Sequence, residues 1–475
     1  MIESLGRWLL IGLYVVAALG TASHALLNKR DPRSAWGWIA VCWLFPLAGA
    51  ALYYLFGVNR IETRAKRVFG KALGQRRPAS AIEHLPEIPG LAGAEARELV
   101  RIGDALTERR LSRGNRVTPL FTGADAYNAM IEAINTAQHH VYLASYIYRD
   151  DAAGQRFAAA LTAAQQRGVR VRVLLDGLAD ALYRPPASKM LHRHGIQPAL
   201  FLPPRLWPPM LHINLRNHRK LLIVDGEIGY TGGMNIQQQH VAAADGEAAI
   251  DDVHFCVQGP LVQQMEDAFL ADWRFAAGES VTPQSPPAVA ADGNIIGRVI
   301  TDGPNEDLDR LVMVLISAIS AAHRRIWIMT PYFLPPAGLT SALQAAALRG
   351  IDVSIVLPRR SDQRWMEWAT QHILRHLLER EVRVYLRPPP FAHTKLLIVD
   401  DWYVQFGSAN LDTRSLRLNF ELTVEAYGMP LAAEMAAHFE SVRNRSRPAT
   451  RAEMVERNLA LRLRNALCWL GSPYL

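Results

Sequence analysis

HTKLLIVDDWYVQFGSAN, residues 393 to 410, and HRKLLIVDGEIGYTGGMN, residues 218 to 235, are two copies of one pattern. In each, a His is followed two residues later by Lys, five further on by Asp, then by a glycine-rich step and an Asn at matching offsets. The apolar runs are short and β-branched, and Asp225-Gly226 and Asp400-Asp401 interrupt them, which predicts a β-hairpin for each copy. Residues two apart on a strand project from one face, so His218 sits beside Lys220 and His393 beside Lys395. The returning strands end at Gly232-Gly233 and Gly407-Ser408, where small residues let backbone N–H groups approach an anion, and Asn235 and Asn410 add amide donors. Such a set describes a phosphate cradle that uses no metal. One copy alone would ordinarily be a solvated pair on a half-exposed strand; two with the same offsets imply one shared site.

Working outward, the duplication continues. AINTAQHHVYLASYIY (Ala133 to Tyr148) parallels AISAAHRRIWIMTPYF (Ala318 to Phe333), and RGVRVRVLLDG (Arg167 to Gly177) parallels RGIDVSIVLPR (Arg349 to Arg359). Both halves read helix, strand, helix, strand, the pattern of α/β units with central sheets. Tyr146 and Tyr332 fall at equivalent strand ends, suited to core packing or to lining a pocket. A Pro-, Ala- and Gly-rich segment from Val281 to Asn294 reads as the linker between the halves. Two Pro-rich stretches, Leu202 to Met210 and Arg387 to Phe391, precede the motifs, either as an apolar entrance or as stiff positioning loops.

The paired stretches resemble the HKD motifs of the phospholipase D superfamily, and GSANLDTRSLRLNFE (Gly407 to Glu421) closely resembles the second motif of bacterial cardiolipin synthases. The resemblance covers nearly the whole chain. It implies an α/β fold of two tandem phospholipase D-like domains, residues 116–285 and 286–475, in a pseudo-twofold arrangement with both hairpins at the interface. The implied activity is cardiolipin synthesis: one phosphatidylglycerol forms a phosphatidyl-histidine, a second supplies the alcohol, and glycerol leaves. A phospholipase D hydrolase would use the same residues with water as acceptor. A nuclease of the same superfamily is the other enzymatic alternative. Apolar N-terminal spans and the lack of a basic, aromatic-interleaved stripe speak against nucleic acid as a partner. A scaffold that has lost catalysis would have no need of His218, Lys220, His393 and Lys395.

A phosphodiester resists displacement because its phosphorus carries anionic oxygens, so both a nucleophile and a leaving-group acid are required. One neutral imidazole attacks; the other, protonated, donates to the departing alkoxide and then deprotonates the acceptor. Lys220, Lys395, Asn235 and Asn410 would hold the non-bridging oxygens, with Ser408 assisting. Glu421 falls where the family's second motif has an acid that orients a histidine. Asp252, in DDVHF, is the candidate for the first half, although Asp251 stands where the family has Arg and Gln237-Gln238-Gln239-His240 where it more often has acidic residues and Tyr. Asp225 and Asp400 belong to the motifs but sit at turns, which suits a required structural cap. His212, His254 and His323 lack partners at motif spacing and read as structural. No cofactor is implied, and Cys42, Cys256 and Cys468 are too scattered for a disulfide framework or zinc site.

Trp8 to Leu27 is apolar enough to cross a bilayer, and Ala35 to Phe56 is a second uncharged run flanked by Trp36, Trp38, Tyr53 and Tyr54. Together they predict a membrane hairpin over residues 1–59; a signal peptide cleaved after Ala25 is the alternative. A juxtamembrane linker is expected over 60–115. Its basic run, Arg60 to Arg77, together with Arg7 before the first span, favours a cytoplasmic catalytic part at the bacterial inner membrane, though Lys29, Arg30 and Arg33 make the connecting turn basic too. The tail from Glu456 to Leu475 alternates Leu with Arg, as a helix lying on a membrane or packed on the core would. The formal charge of +8 suits an acidic partner, and the half-hydrophobic composition over 475 residues excludes a disordered chain. Anionic phospholipid, phosphatidylglycerol above all, and the membrane are the expected partners; oligomeric state is not legible.

Overall fold

A computed structural model describes residues 2–29, 32–57, 94–107, 109–204, 215–242, 249–282, 292–303, 309–455 and 458–472. The chain divides into two compact units, residues 1–74 and 75–475.

In the first unit, α1 (Ile2–Asn28) contains the apolar stretch Gly6–Asn28, whose 23 residues at about 1.5 Å each exceed a bilayer's hydrocarbon thickness. The second apolar run differs from the single span its composition predicts. It forms α2 (Pro32–Leu44), breaks, and continues as α3 (Pro46–Leu52) with a π-helical turn, Tyr53–Gly57. The break lies at Pro46, which has no N–H to donate and whose ring clashes with the preceding helical turn. Beyond it the chain doubles back. Gly49 lies so close to α2 that a Cβ would be 2.4 Å from the Val41 carbonyl oxygen. The Tyr53 ring meets Trp38 edge-on at 5.3 Å, whereas a straight helix would separate these residues by about 22 Å. Tyr53 Oη pairs with His24 Nδ1 at 2.8 Å, and Lys29 Nζ donates to the Gly57 carbonyl at 2.7 Å. Both ends of the folded-back segment therefore sit at the C-terminal end of α1.

The second unit is built on one 15-stranded sheet. Its first half contributes β1 (Ser112–Leu120), β2 (His140–Ser145), β3 (Arg170–Asp176), β4 (Ala199–Phe201), β5 (Leu221–Val224), β6 (Ile228–Gly232) and β7 (His254–Gln258). The second contributes β8 (Ile295–Asp302), β9 (Arg325–Met329), β10 (Asp352–Pro358), β11 (Arg383–Arg387), β12 (Leu396–Val399), β13 (Tyr403–Gly407) and β14 (Glu421–Tyr427), with β15 (Arg447–Pro448) at the edge. The order β15-β11-β10-β9-β12-β13-β14-β8-β1-β7-β6-β5-β2-β3-β4 is the same arrangement twice, reversed about the β8–β1 junction. Ser112 opposite Gly297 and Asn115 opposite Ile295 make that junction. The predicted hairpins are β5–β6 and β12–β13, both antiparallel. An α/β duplication is as expected, but the halves share a sheet and form one compact unit.

Helices α5 (Gly123–Thr136) and α6 (Ala152–Gln166) pack Tyr127, Phe157 and Leu161 into the first half's core, with Val141 and Leu143 of β2. Their counterparts α8 (Arg310–Ser320) and α9 (Ala337–Leu348) bring Leu311, Leu315 and Leu343 to Ile326 and Ile328 of β9. Helix α4 (Ala94–Thr107) falls within the expected linker, yet Leu99 and Val100 belong to the second half's core. It also helps enclose Arg298 of β8, which is fully buried, pairs with Glu425 of β14, and reaches Asp104 at 2.6 Å. Residues 58–93, 205–214 and 283–291, which hold most of the expected linkers, Trp207 and His212, lie outside the described residues.

Each motif aspartate ties a hairpin to its neighbour. Asp225 accepts the backbone N–H groups of Gln138, His139 and His140 at 2.7 to 2.8 Å, and Asp400 those of His323, Arg324 and Arg325 at 2.8 to 2.9 Å. Both aspartates hold the turns leading into β2 and β9. Asp401 instead pairs with exposed Arg324 and with Arg325. In chemical unfolding of the detergent-solubilised protein, Asp400→Ala should lose roughly 2–4 kcal/mol and Asp401→Ala less than about 1 kcal/mol. Equal losses would show that the turn carries no special weight.

Candidate active site

Each motif enters the site by pairing its backbone with the opposite half. His218 N–H donates to the Phe420 carbonyl at 2.9 Å, and Phe420 N–H donates back to Arg216 at 2.8 Å. In the other half, His393 N–H donates to the Asp251 carbonyl at 2.8 Å. Fixing the histidine backbones this way delivers a carboxylate to each ring. His218 Nδ1 lies 3.0 Å from Glu421 Oε1, and His393 Nδ1 lies 2.9 Å from Asp252 Oδ2. Each ring thus meets a carboxylate supplied across the pseudo-twofold. With Nδ1 on the carboxylate, Nε2 is the ring nitrogen left for other partners.

The lysines stand beside these rings, and both are buried. Lys395 Nζ is 2.9 Å from His393 Nε2 and donates to the His393 carbonyl at 2.6 Å. Lys220 donates to the His218 carbonyl at 2.7 Å and lies 5.3 Å above the Tyr146 ring, which is itself 4.8 Å from the His218 ring. Tyr146 therefore lines the site. Tyr332 donates to Asp362 at 2.7 Å on the wall of the same cavity.

That cavity, about 660 Å³, is lined by His218, His393, Asn235 and Asn410 together. Asn235 Oδ1 accepts from Ile147 N–H at 3.2 Å, and Asn410 Nδ2 donates to Ser415 at 3.2 Å. Ser408, expected to bind phosphate, donates its hydroxyl to Glu421 and accepts from Leu422 N–H at 3.0 Å. The equivalent Gly233 has no room for a hydroxyl, since a Cβ there would lie 2.4 Å from Asp252 Oδ2. Three lining residues escaped the motif reading. Arg216 is held by Asp176 at 3.2 Å, Arg414 lies four residues past Asn410, and His240 accepts the Asn235 N–H on Nε2 at 3.3 Å. The last had a signal, because it breaks the family's wording after Asn235.

Charge is held under strain here. Burial lowers His218 to about 4, against the pull of Glu421 and with the push of Lys220. His393 is driven well below its ordinary value by burial, then by Lys395 and Lys220. Lys395 falls to about 8 through burial, although Asp252 and Glu421 oppose the shift. Burial acts to raise both acids. It prevails at Asp252, while His218, Lys220 and Ser408 outweigh it and leave Glu421 lowered. Among the described residues, no group of three His, Cys, Asp or Glu side chains converges as metal ligands would.

Paired imidazoles, each backed by a carboxylate and flanked by a lysine, sit together on a duplicated α/β fold, an arrangement suited to phosphodiester chemistry. Comparison with known proteins gives the family. Residues 130–273 and 315–443 match the model described as "Cardiolipin synthase, PLD-like domain", and residues 12–57 match "Phospholipase_D-nuclease N-terminal". The major cardiolipin synthase of Bacillus subtilis is 32% identical over 460 residues, covering 94% of this chain and 95% of the relative. A cardiolipin synthase of Oceanobacillus iheyensis is 31% identical, covering 98% and 99%. The solved phosphatidylserine synthase of Haemophilus influenzae shares the fold at TM-score 0.61 and 17% identity, covering 76% of this chain and 95% of its own. The chain belongs to the cardiolipin synthase family of phospholipase D-like proteins.

An anion at this site stabilises imidazolium, so it should raise a histidine that burial has depressed and draw in a proton. Calorimetry of tungstate binding at pH 7, in buffers of different ionisation enthalpy, should report uptake approaching one proton, diminished in Glu421→Gln. Enthalpies independent of buffer would contradict the coupling.

Proposed function

We propose that the chain is a cardiolipin synthase that condenses two phosphatidylglycerol molecules through a phosphohistidine. The reading rests chiefly on the two carboxylate–histidine pairs, each made across the halves with a lysine alongside. One histidine Nε2 attacks the donor's phosphorus and the P–O bond to the headgroup glycerol breaks. The other, as imidazolium, gives its proton to the departing alkoxide, so free glycerol leaves. That histidine, now neutral, takes the proton from a primary hydroxyl of the second phosphatidylglycerol. The resulting alkoxide displaces the first histidine and forms cardiolipin. Lys220 and Lys395, with the amides of Asn235 and Asn410, offset charge on the non-bridging oxygens in a dry site where such contacts act strongly. Purified full-length enzyme given labelled phosphatidylglycerol with chelator should yield cardiolipin and glycerol. His218→Ala and His393→Ala should each lower the rate at least about a thousandfold. Phosphatidic acid as the sole lipid product would make it a hydrolase.

The folded-back anchor bears on location. With α1 crossing the bilayer and α2–α3 entering and leaving by one face, Lys29 and Gly57 fall on one side, opposite the start of α1, and the sequence goes on from Gly57 into the basic run Arg60 to Arg77. The connecting turn then no longer competes with that run, and positive-inside puts the catalytic part in the cytoplasm. This gives a single span plus a re-entrant segment at the inner membrane, in place of two spans. In a background without native cysteines, Glu3→Cys should react with an impermeant maleimide only from outside the cell, and Phe45→Cys from neither face. Labelling of position 3 from the cytoplasmic side alone would restore the two-span hairpin.

A further inference from the structure

A second cavity opens beside the catalytic one. It encloses about 290 Å³ and shares Tyr332, Pro358, Ser361 and Met366 with the larger cavity that holds the two histidines. One wall is α10 (Arg364–Leu378), which turns Met366, Thr370 and Leu374 inward at four-residue spacing, a single helical face. The other wall is the sheet, through Leu357 of β10 and Leu386 of β11. Polar groups, among them Arg359 and the Arg447–Glu453 pair, complete the lining. The motif chemistry uses none of this.

From this arrangement we infer that the cavity takes one acyl chain of a phospholipid substrate while its phosphate lies between the histidines. The inference rests on the proposed lipid reaction. A phospholipid in that reaction has to lead its chains away from His218 and His393, and this pocket, with Met366, Leu374, Leu357 and Leu386 on facing walls, shares four lining residues with their cavity. What lies along α10 supports the choice of occupant. Helix α12 (Leu459–Leu470) is fastened to it: Asn465 donates to Gln371 at 3.1 Å, Arg464 lies 4.2 Å above Trp368, and Trp469 meets His372 at 4.8 Å. Away from α10, α12 exposes Leu459, Leu463, Leu467 and Leu470, one apolar stripe beside Arg462 with no acidic residue in the helix. Trp365 on α10 is 62% exposed as well. Such a surface suits an anionic bilayer, so the cavity lies behind the helix on which lipid would rest.

Two measurements on the full-length chain in detergent test this. First, dihexanoyl- and dioleoyl-phosphatidylglycerol are compared in Thr370→Trp and Leu386→Trp, which fill the cavity from opposite walls. The ratio of kcat/KM for the long over the short lipid should fall by about fifteen- to sixtyfold, as loss of contact with two or three methylenes would give. An equal loss for both lipids would overturn the inference. Second, the wild-type chain is irradiated with phosphatidylglycerol bearing a diazirine at the end of one acyl chain. Labelling within Met366–Leu374 supports the assignment, and labelling confined to α1–α3 and α12 overturns it. Absence of turnover with either lipid would count against the proposed reaction, while the position of the label would still decide the cavity's role.

Discussion

Neither half of this protein completes an active site. The carboxylate on His218 comes from β14 of the second half, and the carboxylate on His393 comes from the loop before β7 of the first. Two backbone connections, Phe420 to Arg216 and His393 to Asp251, set the distances over which those pairs form. The continuous sheet follows as the means of holding such contacts steady: a slip at the β8–β1 junction would shift both imidazoles from their acids at once. Tandem domains on a flexible tether could not fix a ring nitrogen within hydrogen-bond reach of an oxygen in the other half.

Holding that arrangement means burying charge, which is unfavourable unless each group is compensated. The fold meets this with networks that again join the halves. Arg219 reaches Asp272 at 2.8 Å and the Glu421 carbonyl at 2.9 Å, linking α7 (Leu261–Ala277) to the second motif. At the junction itself Arg298 is shared by Glu425, Asp104 and the Val100 carbonyl, which explains why α4 is integral to the catalytic unit. Phe255 and Phe406 stack at 3.8 Å between strands of opposite halves, so apolar packing reinforces the polar ties.

Much of this was legible because the relevant signals are local. A two-residue alternation with a turn signal gives the hairpins, and a fixed offset along a strand places Lys beside His. The acids were located through the family's wording, which records a contact made far away in sequence. Features that depend on long-range geometry were not readable. Apolar composition made Ala35 to Phe56 look like one span, although Pro46 carried the clue to its reversal. Charged and apolar residues from Ala94 to Arg110 fit a linker as well as a docked helix, and only the place of Arg298 in the core separates the two. Ser408 stood where an anion ligand would, but its hydroxyl is captured by Glu421, a residue thirteen positions on that the next strand brings back.

The departures from twofold symmetry bear on how the two histidines divide their work. Ser408 adds a hydroxyl to Glu421 and helps leave it lowered, while Gly233 adds none to Asp252, which is raised. Both lysines donate to the carbonyl of their own histidine, but Lys395 also lies 2.9 Å from His393 Nε2, whereas Lys220 lies over Tyr146. His240 and Phe391 approach the His393 ring; Tyr146 approaches that of His218. A reaction in which one imidazole bonds phosphorus while the other carries a proton needs two rings of unequal proton affinity. Duplication alone would have made them equal. The surroundings that differ between the two rings, Ser408 against Gly233 on the acids and His240 beside His393, lie outside the histidines and lysines themselves.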